Sequence, residues 1–251
     1  MVERRMRKRR PRFLFLKIIL ILILIGSLSA AFIVNFCQTK EVKVKGNKLA
    51  GEEEIVEAAL SDKYDTNAVY ATVRNVFMKH ATIPFVDHYT VSMKNLNTVM
   101  ISVKEKELYG YLKNDKGDRF VYYSADGTVL EVSERHIKGT FFVNGLTVKN
   151  AKAGEPLPLE ESDTKTILAI QNEIQREKLK VKKIRFSQDG IITFKVKKVL
   201  VNLGTRTAVT EKVRRLHYIL PKLKGMKGTL HLEEWSEENT DIVFEKASKK
   251  G

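Results

Sequence analysis

Two stretches decide the fold: residues 41–55, EVKVKGNKLAGEEEI, and residues 84–105, PFVDHYTVSMKNLNTVMISVKE. In the first, Val42 and Val44 alternate with charged residues, and Gly46-Asn47 then supplies a turn signal. Three glutamates follow at 52–54. They open an apolar-periodic run through Leu60 and suit the positive end of a helix dipole. The second stretch reads as two strands, residues 85–93 and 98–104, around the turn Lys94-Asn-Leu-Asn97. Val99, Ile101 and Val103 fall on one face. Between the two stretches, Val69, Val73, Val76, Phe77 and His80 recur at spacings of three and four and predict a second helix. Pro84 ends it. The order is strand, helix, helix, strand, strand.

Upstream, residues 18–39 form a run of 22 residues with no charged side chain. A helix of that length reaches about 33 Å, enough to cross the hydrocarbon core of a bilayer. An arm at residues 1–17 precedes it, with Arg4, Arg5, Arg7, Lys8, Arg9, Arg10, Arg12 and Lys17 against the single acid Glu3. Under the positive-inside rule this arm fixes the N-terminus in the cytoplasm and places residues 40 onward outside the membrane. Ser27-Leu-Ser-Ala30 resembles a signal-peptidase site. Apolar character continues through Phe32, Ile33, Val34 and Phe36, however, beyond the usual length of a signal-peptide core, so the span is read as a retained anchor. Cys37 is read as a small apolar residue at its outer end.

Downstream, Asp126-Gly127 and Asp189-Gly190 sit between apolar runs as hairpin turns. Ile184 and Phe186, then Ile192, Phe194 and Val196, alternate around the second turn. Val199, Val201 and Leu203 give another strand, ending at Gly204. Ile167, Ile170 and Ile174 mark one helix face, with Ser162 or Asp163 as the expected N-cap. Val213, Leu216, Leu220 and Leu223 mark another, which Pro221 ends or kinks. The expected class is α+β: a transmembrane helix at 18–39, a small domain at 40–108, an antiparallel-sheet domain with flanking helices at 109–246, and a polar tail at 247–251.

The chain has 251 residues and a net charge of +15. Removing the arm leaves 37 basic and 29 acidic side chains, a net +8 spread along the exported part. No aromatic-interleaved basic motif accompanies it, so nucleic acid is not an expected partner. One cysteine allows neither an internal disulfide nor a cysteine-based zinc site.

Ser162-x-x-Lys165 fits the S-x-x-K pattern of wall transpeptidases, but neither S-D-N nor K-T-G occurs, and a helix start explains it better. His80, His88, His136, His217 and His231 show no metal-ligand spacing, and no phosphate loop is present. Glu233, Glu234, Glu237 and Glu238 around Trp235 read as a solvated turn. No enzyme, metal or cofactor is expected.

The ordered set is similar to the FtsQ/DivIB family of bacterial division proteins. Its matching residues are Val42, Val44, Gly46, Asn47, Glu54 and Ile55, then Pro84, Phe85, Val86, Val91, Asn97, Val99, Ile101, Val103 and Glu105. Tyr122–Leu130, Phe141–Gly154, Val201-Asn-Leu-Gly204 with Lys212, Gly228–Leu232 and Ile242-Val-Phe244 continue the likeness. Two positions depart from it. No Pro follows Glu105, and Phe141-Phe-Val-Asn stands where the family has Pro.

The resemblance implies a POTRA domain that helps recruitment to the division site. It implies a β domain that docks small single-pass partners (FtsB, called DivIC in Gram-positive bacteria, and FtsL). The whole would be a septal scaffold for the peptidoglycan synthase complex. Residues 241–245 read as a terminal strand. At a sheet edge, its free backbone groups would receive a partner strand. Leu230, Leu232, Trp235, Ile242, Val243 and Phe244 are the expected docking residues. The alternatives are an anchored binder of anionic wall polymers and, more weakly, an S-x-x-K wall-modifying enzyme.

Overall fold

The computed structural model describes residues 12–236, 239 and 242–247, with side chains from Leu14 onward. Helix α1 (Arg12–Phe36) contains the apolar span Leu14–Phe36, none of which is buried within the protein. Twenty-three residues reach about 35 Å as a helix. One N-terminal apolar helix of this kind supports single-pass membrane anchoring.

The helix starts earlier and stops earlier than the uncharged run. Cys37 is 2% exposed, and its carbonyl accepts from Ala68 N at 2.8 Å, while Thr39 N donates to Thr66 O at 2.7 Å. Residues 37–39 therefore belong to the fold of the first domain rather than to the span, because their backbone groups find partners there. Of the topology residues, Arg4, Arg5, Arg7, Lys8, Arg9 and Arg10 lie outside the described residues. Arg12 opens α1, and Lys17 lies exposed on it.

The chain divides into two units between Glu105 and Lys106. In the first, β1 (Glu41–Lys45), α2 (Glu52–Ala59), α3 (Ala68–Phe77), β2 (Val86–Asn95) and β3 (Thr98–Glu105) follow in that order. The sheet order is β1-β3-β2, with β1 parallel and β2 antiparallel to β3. Ile55, Ala59, Ala68, Ala71, Val91, Val99 and Ile101 form the core.

Gly46 has φ +96°, and a Cβ there would meet Val103 O at 2.2 Å, so β1 can turn against β3 only with glycine. One residue class is corrected. Val73, Val76 and Phe77 do not face the core; Phe77 is 82% exposed. Ala68 and Ala71 approach the sheet instead, and Asn75 Oδ1 accepts from Val91 N on the outer edge of β2 at 3.1 Å. Small residues allow that close approach, and it turns the larger stripe outward.

The second unit contains β4 (Gly110–Asn114), β5 (Phe120–Tyr123), β6 (Val129–Ser133), β7 (Phe142–Val148), α4 (Glu161–Arg176), β8 (Lys183–Phe186), β9 (Ile192–Val196), β10 (Val199–Gly204), α5 (Val209–Ile219), a 3-10 turn at Leu220–Leu223, β11 (Gly228–His231) and β12 (Val243–Lys246). The sheet order is β12-β11-β10-β9-β8-β7-β4-β5-β6.

The sheet is mixed, not antiparallel: β4/β7, β7/β8 and β10/β11 are parallel pairs. Parallel neighbours need a long crossover, and α4 and α5 supply it for β7/β8 and β10/β11. Ile167, Ile170, Val213 and Leu216 pack on the sheet beside Ile184, Val201 and Leu203. The N-cap of α4 is Glu160, not Ser162 or Asp163. Asp163 is turned inward and accepts from Arg206 Nε at 2.9 Å. Pro221 ends α5 as expected, in the first turn of the 3-10 segment.

Candidate functional site

β12 is the outermost strand of the larger sheet, beyond β11. It pairs antiparallel in the register Gly228↔Lys246, Thr229↔Glu245, Leu230↔Phe244 and His231↔Val243. Ile242 and Phe244 are half-buried against the core, whereas Val243 is 62% exposed on the opposite face. Ala247 N donates to Lys227 O at 3.0 Å, which sets the phase of the ladder. Hydrogen-bonded pairs alternate along an antiparallel ladder, so Val243 and Glu245 turn their backbone groups toward β11. Phe244 and Lys246 turn theirs outward, along the open edge. The described strand begins at Val243; Asp241 lies outside the described residues.

Leu230, Leu232 and Trp235 occupy a different place from the one expected of docking side chains. Their exposures are 1%, 1% and 4%, so they carry the strand from behind and offer no surface. Trp235 in particular is no part of a solvated turn. The Arg215 guanidinium lies 4.3 Å over its ring. Among the described residues, its indole N–H is the one buried side-chain polar atom without a hydrogen-bond partner. Glu237 and Glu238 of the acidic cluster lie outside the described residues.

A buried cation braces this edge. Lys212, 1% exposed, donates from Nζ to Leu203 O at 2.8 Å and to Glu233 O at 3.1 Å. Burial lowers its pKa, with Glu233 acting in the opposite direction. Gly204, at φ +72°, lets Glu233 close in; a Cβ there would lie 2.7 Å from the Glu233 Cβ. On the open face, His231 Nδ1 lies 2.7 Å from Glu233 Oε1, and Nε2 lies 3.5 Å from Glu245 Oε2. The hydrogen bond to Glu233 raises the His231 pKa, and Glu245 adds to the effect.

A groove of about 570 Å³ opens between the β9–β10 turn, the end of α5 and the segment at Lys224–Met226 that leads into β11. Val199, Leu216, Leu220 and Leu223 line it, and Lys178, Lys180, Lys197, Lys198 and Lys224 surround it. Sequence reasoning missed both the groove and the Lys212 brace. The signal for the brace was a lone lysine inside the stripe Val209, Val213, Leu216. The groove lysines come from three separate segments, and only the fold gathers them.

The other singled-out residues are engaged locally. Lys165 pairs with Glu161 at 2.5 Å, and Ser162 Oγ lies 3.5 Å from Glu160, so neither turns to the other. His80 bonds Asn75 O and stacks on Tyr89. His88 meets Asp87, His136 meets Tyr111, and His217 meets Glu177.

Residues 38–106 match the family model described as POTRA domain, FtsQ-type. These residues thus form a POTRA domain, a small module with one strand-helix-helix-strand-strand sheet. Its type supports placing the chain in the FtsQ/DivIB family, with a role in cell division. No curated protein matches the chain.

Proposed function

We propose that the protein is a non-enzymatic, single-pass scaffold of the bacterial divisome. Its N-terminus is cytoplasmic, its bulk is extracytoplasmic, and it is enriched at the septum. It binds FtsB/DivIC-like and FtsL-like single-pass proteins and so links them to the septal peptidoglycan synthase complex. The observation that carries this reading is the open edge of β12, where the backbone groups of Phe244 and Lys246 face outward. A partner strand laid there gains main-chain hydrogen bonds, and the exposed Val243 side chain lies alongside for specificity. The FtsQ-type POTRA domain and the apolar α1 support the division role and the anchor.

The test is capture of the full chain from native membranes after mild crosslinking, comparing wild type with Lys246→Pro. Proline is tolerated where the N–H points away from the sheet, so this variant keeps the fold and loses one outward donor. Loss of the small single-pass partners, with an unchanged circular dichroism spectrum, is the expected result. Undiminished capture by the folded variant would refute docking at this edge.

The lysine-rimmed groove favours a second reading, binding of anionic wall polymers. Salt-labile retention on isolated cell wall, without protein partners, would select it.

A further inference from the structure

The outer end of α1 is held by the POTRA unit, and two asparagines do it. Asn67 Nδ2 donates to Ile33 O at 2.8 Å, while Asn67 Oδ1 accepts from Val69 N and Tyr70 N at 3.1 Å each. One side chain thus closes the C-terminal end of α1 and the N-terminal end of α3. Asn97 Nδ2 donates to Phe36 O at 3.0 Å and to Gln38 O at 2.7 Å. Ile33 O also accepts from Cys37 N at 3.1 Å, whereas Phe36 O, in the last residue of α1, has no partner inside the helix and in a membrane-spanning helix needs one.

The turns that carry the two amides are thereby fixed at the last turn of the span. The Asn67 turn exposes Tyr64, at 55%, with the Lys63 ammonium 4.6 Å over its ring. The Asn97 turn exposes Leu96, at 45%, beside Lys94. Each turn therefore offers one large apolar or aromatic side chain and one lysine. Aromatic rings and snorkelling lysines are the composition of a bilayer interface.

We infer that the Tyr64 and Leu96 turns form a lipid-contacting seat. They rest on the outer surface of the bilayer that α1 crosses, with Lys63 and Lys94 reaching anionic headgroups. The occupant follows from continuity. Ile33 lies about 4.5 Å inside the helix end, so the amide that binds its carbonyl brings its turn to headgroup depth. The inference rests on α1 being a retained span and goes beyond the scaffold role.

The test uses the full chain carrying Cys37→Ala, reconstituted in phosphatidylethanolamine–phosphatidylglycerol vesicles. A fluorophore sensitive to polarity is attached to a single cysteine replacing Tyr64 or Leu96. A reference probe replaces Lys104, about 20 Å along β3 from the Leu96 turn. Probes at 64 and 96 should be blue-shifted and quenched by lipids carrying a headgroup-depth nitroxide, and the Lys104 probe should not.

Asn67→Asp with Asn97→Asp keeps the α3 cap but removes both donors and sets carboxylates against the helix carbonyls. Quenching at both sites should fall while far-UV dichroism is retained. Probes at 64 and 96 as unquenched as the one at 104 would overturn the seat. Quenching that survives the double variant would overturn the role of the amides. Release of the chain by alkaline carbonate would instead refute the span itself, and the seat with it.

Discussion

Glu105 shows how one carboxylate can organise a domain. Its Oε1 accepts from the backbone N–H groups of Lys48, Leu49 and Ala50 at 2.7, 2.6 and 2.9 Å. These donors lead into α2, and the single oxygen at the end of β3 fixes the loop between β1 and that helix. Hydrogen bonds to a charged group are worth about 1.5–3 kcal/mol each and do not add, so Glu105→Ala should lower the opening free energy of the 48–50 amides by about 2–3 kcal/mol. Hydrogen exchange of the full chain in detergent would measure it. Glu105→Gln keeps an acceptor and should lose less. Read from the sequence, this strand ends at residue 104, one short of Glu105; that the carboxylate reaches back across 55 residues was not legible, since spacing along the chain does not encode a return contact. Asn67 was not singled out in the sequence, although an asparagine directly before an apolar-periodic run is an N-cap signal. Its second bond, to α1, depends on the tertiary fold.

Among the elements, β12 is the most conditional, because four residues join it to β11 and only one neighbour holds it. His231 is held by Glu233 on its own segment and lies 3.5 Å from Glu245 of β12, and this second contact is the one that bridges the two strands. The folded pKa of His231 is raised, so its protonated ring stabilises the pairing fully below the unfolded value of about 6.5. The contribution is lost as pH rises through the folded pKa. Amide protection of Val243 and Glu245, corrected for intrinsic exchange, should therefore be greater at about pH 6 than at about pH 9. His231→Gln should flatten that difference; an unchanged profile would show that this contact does not hold β12. Alternation and turn residues made most strands legible here. The parallel pairing of β10 with β11 was not, because periodicity reports which face is buried and not which strand lies alongside. The α3 stripe misled for a related reason: apolar spacing of three and four marks a face without stating that the face is covered.

For the whole molecule, the division between Glu105 and Lys106 gives two cores that share no buried cluster. Lys106 already belongs to the second unit, bonding Leu130 O and Glu131 Oε2 at 2.9 Å each. A fragment of residues 106–247 should fold alone with a cooperative transition and retain partner capture in solution. A molten fragment would show that the POTRA unit or the span is needed for its stability. The two-part plan was legible because the apolar run, the POTRA-like order and the hairpin signals occupy separate stretches.

The strand order also bears on biogenesis. Every strand that β12 rests on precedes it in the chain, and β11 stands beside β10 only after α5 has crossed over. Since synthesis runs from the N-terminus, the open edge is the last piece of that sheet to come into being. A nascent or prematurely terminated chain ending before Val243 would display β11 instead, with a different row of backbone groups and side chains. Docking at β12, as proposed, would thus be open only to chains already translated past Val243–Lys246.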